Sequence, residues 1–319
     1  MPPLSAVADG VPCELLNWSV ARAAGVEIFV RRDDLLPAWG QGNKFYKLYY
    51  NLQALPSDAV CVSFGGPYSN HLHALALVAQ KMCVHSVGIV RGYAGKSLTP
   101  TLADAQAAGM QLVFVSRRDY ARYSAPQVDA GRHAWCQDKI GIRDRPLHII
   151  PEGGANAEGL CGAQVLAERI LAQPIVGPGR ALHALWLAVG TGTTLAGLVN
   201  GIGGDARVQQ VVGVPVIGPH PEQGYHPLSE SIKDRCGINS RWRLETGFSL
   251  GGYAKTTPEY LAFLQDFYRE TGVQLDHVYT GKLFWALRSG LISGSIERGT
   301  RLLAMHTGGL QGLRGLQGQ

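Results

Sequence analysis

Charged side chains are scarce in this sequence. They make up 17% of the 319 residues, whereas about a quarter is typical of globular domains. The formal net charge of +5 is spread along the chain without a dense block of Lys and Arg, which gives little support to nucleic-acid binding. Together with 46% hydrophobic residues, the low charge indicates a well-buried globular enzyme of one large or two ordinary domains.

Long apolar runs and patterned cysteines are also lacking. No stretch approaches the length of a membrane span, and the opening "MPPLSAVADG" has neither the basic start nor the apolar core of a signal peptide. The six cysteines include no C-x-x-C pair and no metal-ligand spacing. We therefore expect reduced cysteines, no membrane partner and a cytoplasmic location.

The sequence does contain an alternation of short apolar runs and helix-length segments. The runs are "AVCVSF" (59–64), "VHSVGIV" (84–90), "QLVFV" (111–115), "LHII" (147–150), "ALWLAV" (184–189), "QQVVGVPV" (209–216) and "RLLAMH" (301–306). Apolar strands separated by helices are typical of a parallel sheet covered on both faces. The sequence therefore predicts the α/β class.

Glycine is abundant, with 41 residues, and many glycines directly follow a predicted strand. Examples are "FGGPYSN", "PEGGAN", "VGTGTT" and "HTGG". Ligands of open α/β sheets bind at the carboxyl ends of strands, where close approach of the backbone needs glycine. Four such turns indicate a single large site.

One of these turns, "AVGTGTTLAG" (188–197), combines a strand, a Gly/Thr turn and a helix start. Backbone amides, threonine hydroxyls and the helix dipole at such a turn can hold a phosphate. The turn is not a Walker loop, and it is a poor dinucleotide fingerprint because Leu195 replaces the third glycine or alanine. By composition alone, a glycine-rich turn without any ligand is equally common.

The stretch "GGPYSNHLHALA" (65–76) places Ser69 and Asn70 at a strand-to-helix junction. Helix capping is the ordinary role of such residues. His71 and His73 are two apart and would point to different sides of a helix, without a third ligand nearby. We therefore expect no metal here.

The segment "QGNKFYKL" (41–48) contains Lys44 and Lys47, and a solvated first helical turn is the ordinary interpretation of such a pair. The combination with an anion-binding turn and four glycine-rich strand ends favours a different one. Pyridoxal phosphate needs a helix N-terminus for its phosphate, an amine for its aldehyde, and partners for its phenolic oxygen and pyridine nitrogen.

Seven motifs in the same order resemble the 1-aminocyclopropane-1-carboxylate (ACC) deaminase and D-cysteine desulfhydrase family. They are "GNKFYKL", "GGPYSNH", "PEGGANAEG", "GTGTTLAG", "GGYAKTTPE", "VYTGK" and "HTGG", and they span nearly the whole chain. The resemblance implies pyridoxal phosphate and the tryptophan synthase β-like fold (fold type II), with two open, mostly parallel twisted sheets covered by helices. It also implies a large domain of residues 1–47 and 161–319, a small domain of residues 48–160 inserted in it, and an active site in the cleft between them.

The resemblance assigns a set of cofactor-binding residues. Lys44 is similar to the Schiff-base lysine, Asn70 to the partner of the phenolic oxygen, and Thr307 to the residue facing the pyridine nitrogen. The full cofactor set comprises Asn43, Lys44, Lys47, Asn70, Gly190, Thr191, Gly192, Thr193, Thr194 and Thr307. Within it, the five residues from Gly190 on match the family's phosphate cup.

The resemblance also assigns the residues that meet the substrate. Ser69, Asn70 and His71 match the segment that receives the substrate carboxylate at a helix N-terminus. Tyr253 and Tyr279 match two tyrosines that line the substrate side, and Thr280 follows the second. The residues implied to be catalytic are Lys44, Ser69, Tyr253 and Tyr279.

Three positions bear on the reaction. Ring-opening deaminases typically have Gln, Glu and Leu where this chain has His71, Thr280 and Thr307, which match the desulfhydrase pattern. A neutral hydroxyl near the pyridine nitrogen stabilises its charge less than a carboxylate does, and suits elimination of a β-leaving group. Tyr46 and Tyr68 depart from the residues of many relatives.

We therefore predict a pyridoxal-phosphate lyase that acts on a small amino acid and forms pyruvate, ammonia and sulfide, as D-cysteine desulfhydrase does. The alternatives are a ring-opening ACC deaminase, which forms 2-oxobutanoate and ammonia, and, more remotely, a nicotinamide-dependent oxidoreductase or a catalytically silent amino-acid-binding module. The resemblance further implies a homodimer.

Overall fold

The computed structural model describes residues 1–40, 42–53, 55–56, 58–95, 97–124, 130–218, 228–237 and 241–315. The helices are α1 (Leu4–Asp9), α2 (Ser19–Ala24), α3 (Asn43–Gln53), α4 (Asn70–Met82), α5 (Pro100–Ala107), α6 (Arg117–Tyr123), α7 (Arg132–Ile140), α8 (Ala157–Leu171), α9 (Thr193–Ile202), α10 (Leu228–Lys233), α11 (Pro258–Thr271) and α12 (Thr280–Ser293). The strands are β1 (Cys13–Leu15), β2 (Glu27–Arg32), β3 (Val60–Gly65), β4 (Ser86–Arg91), β5 (Gln111–Val115), β6 (Leu147–Ile150), β7 (Ala184–Val189), β8 (Val211–Pro215), β9 (Trp242–Leu244) and β10 (Arg301–His306).

The chain divides into two compact units. The first comprises Pro37–Gly162, Met1 and the described residues from Gln311 onward, and the second comprises Pro2–Leu36 and Ala163–Leu310. The domain boundaries that the resemblance implies, 1–47 with 161–319 and 48–160, stay a prediction.

The first unit is built on a four-stranded parallel sheet with the order β5-β4-β3-β6. All six residues of β3 are buried, which is typical of a parallel strand covered on both faces. Val62, Phe64 and Ile89 belong to its core cluster, to which Tyr120 and Tyr123 of α6 contribute rings. This core positions the carboxyl end of β3, where α4 begins.

The second unit is built on a six-stranded sheet with the order β1-β2-β10-β7-β8-β9. Every pair is parallel except β1 with β2. Strand β7 is fully buried, and α11 and α12 contribute Phe267 and Phe284, whose ring centroids lie 4.8 Å apart. Trp18 meets Phe267 edge-on at 5.1 Å. The favoured geometry of these aromatic pairs fixes α12 in this unit.

The predicted α/β class is confirmed, with two mostly parallel sheets flanked by helices. All seven apolar runs contain a strand. Of the other three strands, β2 lies in the apolar, strand-like stretch "VEIFVRRDDL" (26–35), which precedes the two lysines of residues 41–48. Sequence reasoning missed β1 and β9, which have three residues each and lie at the sheet edges. Among the described residues, no helix combines the length and apolar character that a membrane crossing requires.

The glycine-rich segment "GGLQGLRGLQGQ" (308–319) contains short G-L-x repeats, which predict a flexible tail beyond its first few residues. Within this segment, Leu310–Gly315 forms a 3-10 helix. Arg314 forms an ion pair with Asp104, and a Cβ added at Gly315 would lie 2.8 Å from a ring carbon of Tyr68. Residues 316–319 lie outside the described part of the chain.

Candidate active site

In the first unit, Lys44 lies at the start of α3. The chain enters this helix through Gly42, whose φ of 72° is a left-handed conformation that favours glycine. The Lys44 amine donates a hydrogen bond to Oδ1 of Asn43 at 2.8 Å. Lys44 is half-buried, and Lys47 is only 3% exposed. The interpretation of a solvated first turn is therefore wrong for Lys47.

Glycines allow other segments to approach α3 closely. A Cβ added at Gly162 of α8 would collide with the carbonyl oxygen of Tyr46. A Cβ added at Gly154 would lie 3.2 Å from Cβ of Lys47 and 3.7 Å from Cε1 of His71. The "PEGGAN" turn and α8 therefore fix the helix that carries both lysines.

The start of α4 holds three predicted substrate-binding residues. Ser69 is the N-cap of this 13-residue helix and accepts a hydrogen bond from the Leu72 amide at 3.2 Å. Asn70 is the first helical residue, and its Oδ1 accepts a hydrogen bond from Nε2 of Gln311 at 2.7 Å. This bond fixes the Asn70 amide, so that Nδ2 is the donor available to a ligand.

The third of these residues, His71, is only 3% exposed. Its Nε2 lies 2.8 Å from the hydroxyl of Ser63. Burial lowers the His71 pKa well below its ordinary value, and the charges of Lys47 and Lys44 lower it further. His71 is therefore neutral at physiological pH. His73 points elsewhere and pairs with Asp104 at 3.3 Å.

In the second unit, the predicted phosphate cup forms the junction between β7 and α9. We call residues 190–194 the phosphate loop. Gly192 is the N-cap of α9 with a φ of 78°, and the hydroxyls of Thr191 and Thr193 lie 3.2 Å apart. Helix α9 has ten residues, so its first turn combines backbone N–H groups with the positive end of a helix dipole.

Arg235 binds the phosphate loop, a contact that sequence reasoning missed. Its guanidinium donates to Oγ1 of Thr193 at 2.9 Å and to the carbonyl of Thr191 at 2.8 Å. A Cβ added at Gly192 would lie 3.0 Å from Nη2 of Arg235 and 2.7 Å from Ile232. A permanent positive charge therefore lies directly against the loop that should hold a dianion.

Both predicted tyrosines lie near this loop in the second unit. A Cβ added at Gly190 would lie 3.4 Å from Cε1 of Tyr279. The rings of Tyr253 and Tyr279 meet edge-on with centroids 6.2 Å apart. The structure thus brings the phosphate loop and these two phenols together.

Thr280 has a different environment. It is fully buried at the start of α12, and its hydroxyl donates to Oδ1 of Asp276 at 2.7 Å. The same hydroxyl accepts from the Asp276 amide at 2.9 Å. Oδ2 of Asp276 accepts from the amides of Val278 and Tyr279 at 2.8 Å each. Asp276 therefore binds the amides at the start of α12 and holds Thr280.

Thr307, the residue predicted to face the pyridine nitrogen, is half-buried and directly follows β10.

Residues 10–308 match the family described as pyridoxal-phosphate dependent enzymes. The chain belongs to this family. A protein of Thermotoga maritima, provisionally named a 1-aminocyclopropane-1-carboxylate deaminase, is 32% identical over 297 residues, which cover 91% of this chain and 90% of the relative. The Arabidopsis thaliana protein named bifunctional D-cysteine desulfhydrase/1-aminocyclopropane-1-carboxylate deaminase is 27% identical over 321 residues, or 95% of this chain and 77% of the relative.

A solved structure gives the same fold. The crystal structure described as an ACC deaminase homologue has a TM-score of 0.75 at 24% identity and covers 98% of this chain and 96% of that chain. The predicted family, the pyridoxal-phosphate cofactor and the tryptophan synthase β-like fold are confirmed. The alternative of a nicotinamide-dependent oxidoreductase does not agree with this family.

The described residues fit pyridoxal phosphate. In the first unit, Lys44 supplies a primary amine and Asn70 a fixed N–H donor. In the second, the phosphate loop supplies threonine hydroxyls, the adjacent Arg235, and glycines that leave room where a Cβ atom would crowd its neighbours. These are the groups that an aldehyde, a phenolate and a phosphate need.

Three residues of the site were missed by sequence reasoning: Arg235, Gln311 and Asp276. Asp276 could have been found, because an aspartate in a turn commonly accepts a hydrogen bond from the amide two residues on, which here is that of Val278. Gln311 and Arg235 carry no local signal, since their partners lie 241 and 42 positions away.

Proposed function

We propose that this enzyme eliminates a β-substituent from a small amino acid such as D-cysteine, and with water yields pyruvate, ammonia and sulfide. The observation that carries the proposal is Thr280, whose neutral hydroxyl is bonded to Asp276 at the one of the three positions where ring-opening deaminases have a carboxylate. His71, whose pKa burial and two neighbouring lysines hold well below its ordinary value, and Thr307 add no charge. Uncharged partners suit a reaction in which the leaving group removes the electron pair.

In this proposal Lys44 has two roles. Its amine would hold the cofactor through the aldehyde and, once free of it, would take the α-proton of the substrate on Nζ. Pyridoxal phosphate, when bound, supplies the electron sink for the bond that breaks at the α-carbon. Lys47, Asn43 and Asn70 are the other cofactor-binding residues that we propose in the first unit.

The substrate carboxylate binds at the start of α4. The first-turn amides of this helix point at the ligand, and the Ser69 hydroxyl, which accepts from Leu72, still has its proton to donate. Nδ1 of His71, which is buried here and has no hydrogen-bond partner among the described residues, becomes an acceptor for the substrate's N–H or S–H when a side-chain movement exposes it. Tyr253 and Tyr279 line the substrate side, and one of these phenols protonates the departing thiolate.

The phosphate loop and Arg235 hold the cofactor phosphate. Replacement of Arg235 with Gln keeps two donors but removes the charge, and should weaken cofactor affinity about tenfold or more, because charge-assisted hydrogen bonds are about twice as strong as neutral ones. Equilibrium dialysis against pyridoxal phosphate measures this. An unchanged affinity would place the phosphate away from this loop.

Ring-opening deamination remains a second candidate, because the Arabidopsis relative is named for both activities. Product analysis separates the two. We expect pyruvate from D-cysteine or β-chloro-D-alanine at a higher kcat/KM than 2-oxobutanoate from the cyclopropane amino acid. The opposite order would replace the proposed function by the second candidate.

The covalent role of Lys44 has a direct test. Borohydride reduction of the holoenzyme, followed by peptide mapping, should place the pyridoxyl group on Lys44. The variant Lys47→Met is the matched control and should keep the label on Lys44. A label found on Lys47 would overturn the assignment. The cytoplasmic location and the homodimer stay predictions, the second of which light scattering tests.

A further inference from the structure

Lys282 of α12 is a buried cation with an unusual set of partners. The residue is fully buried. Its ammonium donates hydrogen bonds to the carbonyl oxygens of Ser249 and Gly252, both at 2.7 Å, and lies 3.5 Å from that of Val216. All three partners are main-chain acceptors from two separate segments of the second unit.

No carboxylate in the described part of the chain lies within ion-pair distance of this ammonium. Burial lowers the Lys282 pKa to about 8, while the charge of Asp276 acts in the opposite direction. His277 also faces this pair, and burial lowers its pKa as well. The three carbonyl dipoles are therefore the direct compensation for the buried charge.

The segment that Lys282 binds is strained. We call residues 249–254 the tyrosine loop, because it presents Tyr253. Leu250 and Ala254 have φ values of 55° and 57°, and Gly252 has 139°. Left-handed backbone strains residues other than glycine, and such residues persist only where the surroundings enforce them. The four residues before Tyr253 begin with Ser249 and end with Gly252, and the ammonium binds the carbonyl oxygens of these two.

We propose that the Lys282 ammonium acts as a tethered monovalent cation that holds the tyrosine loop and thereby aims Tyr253. Lys282 is a positioning residue in this proposal, since its amine contacts only main-chain oxygens. Converging carbonyls without a cation repel one another and lose their partners. When the amine is removed, the same oxygens should accept a free monovalent cation of similar size. Only the assignment of a catalytic role to Tyr253 rests on the proposed function; the binding of the tyrosine loop by Lys282 does not.

The test uses the holoenzyme variant Lys282→Ala, which leaves room for an ion. Its Tm in KCl or NH4Cl should exceed its Tm in tetramethylammonium chloride of equal concentration by about 2–4 °C. Tetramethylammonium is too large for the site and controls for ionic strength. The wild type and the variant Lys139→Ala, which removes an ammonium from α7, should show no such difference. Equal Tm values of Lys282→Ala in all three salts would overturn the proposal.

A second variant keeps the proposal testable if Lys282→Ala does not fold. Lys282→Met fills the space without charge, and amides of the tyrosine loop should exchange hydrogen at least tenfold faster than in the wild type. Unchanged exchange would contradict the positioning role. If the enzyme is active, Lys282→Met and Tyr253→Phe should be non-additive in kcat, because both act through one phenol. Additive effects would show that Lys282 contributes only to stability and does not aim Tyr253. A wild-type protein without activity would contradict the proposed function and would leave the role of Lys282 in the tyrosine loop to the Tm and hydrogen-exchange measurements.

Discussion

The Ser63 hydroxyl lies 2.8 Å from Nε2 of His71 and donates to the carbonyl of Ile150, also at 2.8 Å. Because its proton goes to the carbonyl, this hydroxyl accepts from the imidazole, and Nε2 carries the ring proton. Nδ1 is then an unprotonated, buried nitrogen that has no hydrogen-bond partner among the described residues. A main-chain oxygen of β6 therefore sets the tautomer of a predicted substrate-binding side chain.

Two substitutions of His71 separate its ring nitrogens. The variant His71→Asn places an amide oxygen near the Nδ1 position, whereas His71→Gln reaches the Nε2 position and keeps a bond to Ser63. If Nδ1 binds substrate, His71→Asn should retain a kcat/KM within about tenfold of the wild type, and His71→Gln should lose about a hundredfold, as expected when a substrate donor is left unpaired. Steady-state kinetics with D-cysteine decides between them.

The tautomer itself can be observed. In 15N NMR spectra of the wild type, the His71 signals should show a protonated Nε2 and an unprotonated Nδ1 from pH 6 to 8. Ser63→Ala removes the acceptor and should mix the two tautomers. A protonated Nδ1 in the wild type would be inconsistent with this hydrogen-bond arrangement.

The low His71 pKa also predicts a pH dependence of stability. In the unfolded chain His71 takes up a proton near pH 6.5, whereas in the fold burial and two lysines prevent it. The unfolded state thus binds more protons below pH 6.5, and the free energy of unfolding falls by up to about 1.4 kcal/mol per pH unit. Because asparagine does not titrate, the free energy of unfolding of His71→Asn should lack this pH dependence. The stability of the variant relative to the wild type should therefore improve as the pH falls from 7 to 5. Urea unfolding at both pH values measures the difference, and a constant difference would contradict the prediction.

Gly192 combines two constraints that can be tested apart. Alanine there must adopt a φ of 78° and would place its Cβ 2.7 Å from Ile232. Gly179 has a φ of 68° but nothing within 4 Å of an added Cβ, so Gly179→Ala measures the backbone cost alone, about 1–2 kcal/mol. Gly192→Ala should lose more stability than this control and, in addition, affinity for pyridoxal phosphate. Equal effects of the two substitutions would show that the crowding at the phosphate loop is harmless.

Replacing Thr280 by a residue with a carboxylate should destabilise the fold. Its side chain is fully buried and bonded to Asp276, so Thr280→Glu would place two carboxyl groups side by side. We expect a loss of about 2–4 kcal/mol and a strongly raised glutamate pKa. Thr280→Ser, which keeps the hydroxyl bond, should lie near the wild type, and Thr280→Val should lose about 1–2 kcal/mol. Chemical denaturation ranks the three, and a Thr280→Glu variant as stable as the wild type would refute the argument.

The strands of this fold could be predicted from sequence because most of them are buried on both faces. Strands β3 and β7 are uninterrupted apolar runs with every residue buried. The edge strands β1 and β9 escaped notice, since three partly exposed residues leave no pattern. Their assignment depends on pairing with β2 and β8, which are distant in sequence.

The local structure around the predicted site residues could be predicted where motifs are local. Lys44, Ser69 and the phosphate loop each lie at the start of a helix, where their environment follows from neighbouring residues. The burial of Lys282 was not predictable, because lysines are almost never buried without partners and its carbonyl partners come from other segments. The burial of Lys47 accompanies the close approach of Gly154, which is more than a hundred positions away. Thr280 could be read as a substrate contact from its motif, although its hydroxyl is bonded to Asp276.

The bond between Gln311 and Asn70 also affects the order in which the enzyme is completed. The two residues lie 241 positions apart, and ribosomes add about 5–20 residues per second. Roughly 10–50 s of synthesis therefore separate Asn70 from the residue that orients its amide. A nascent chain that already has Lys44 and α4 still lacks this hydrogen bond until Ala163–Leu310 has been translated. Cofactor capture in the cell should accordingly be complete only after Gln311 has been translated.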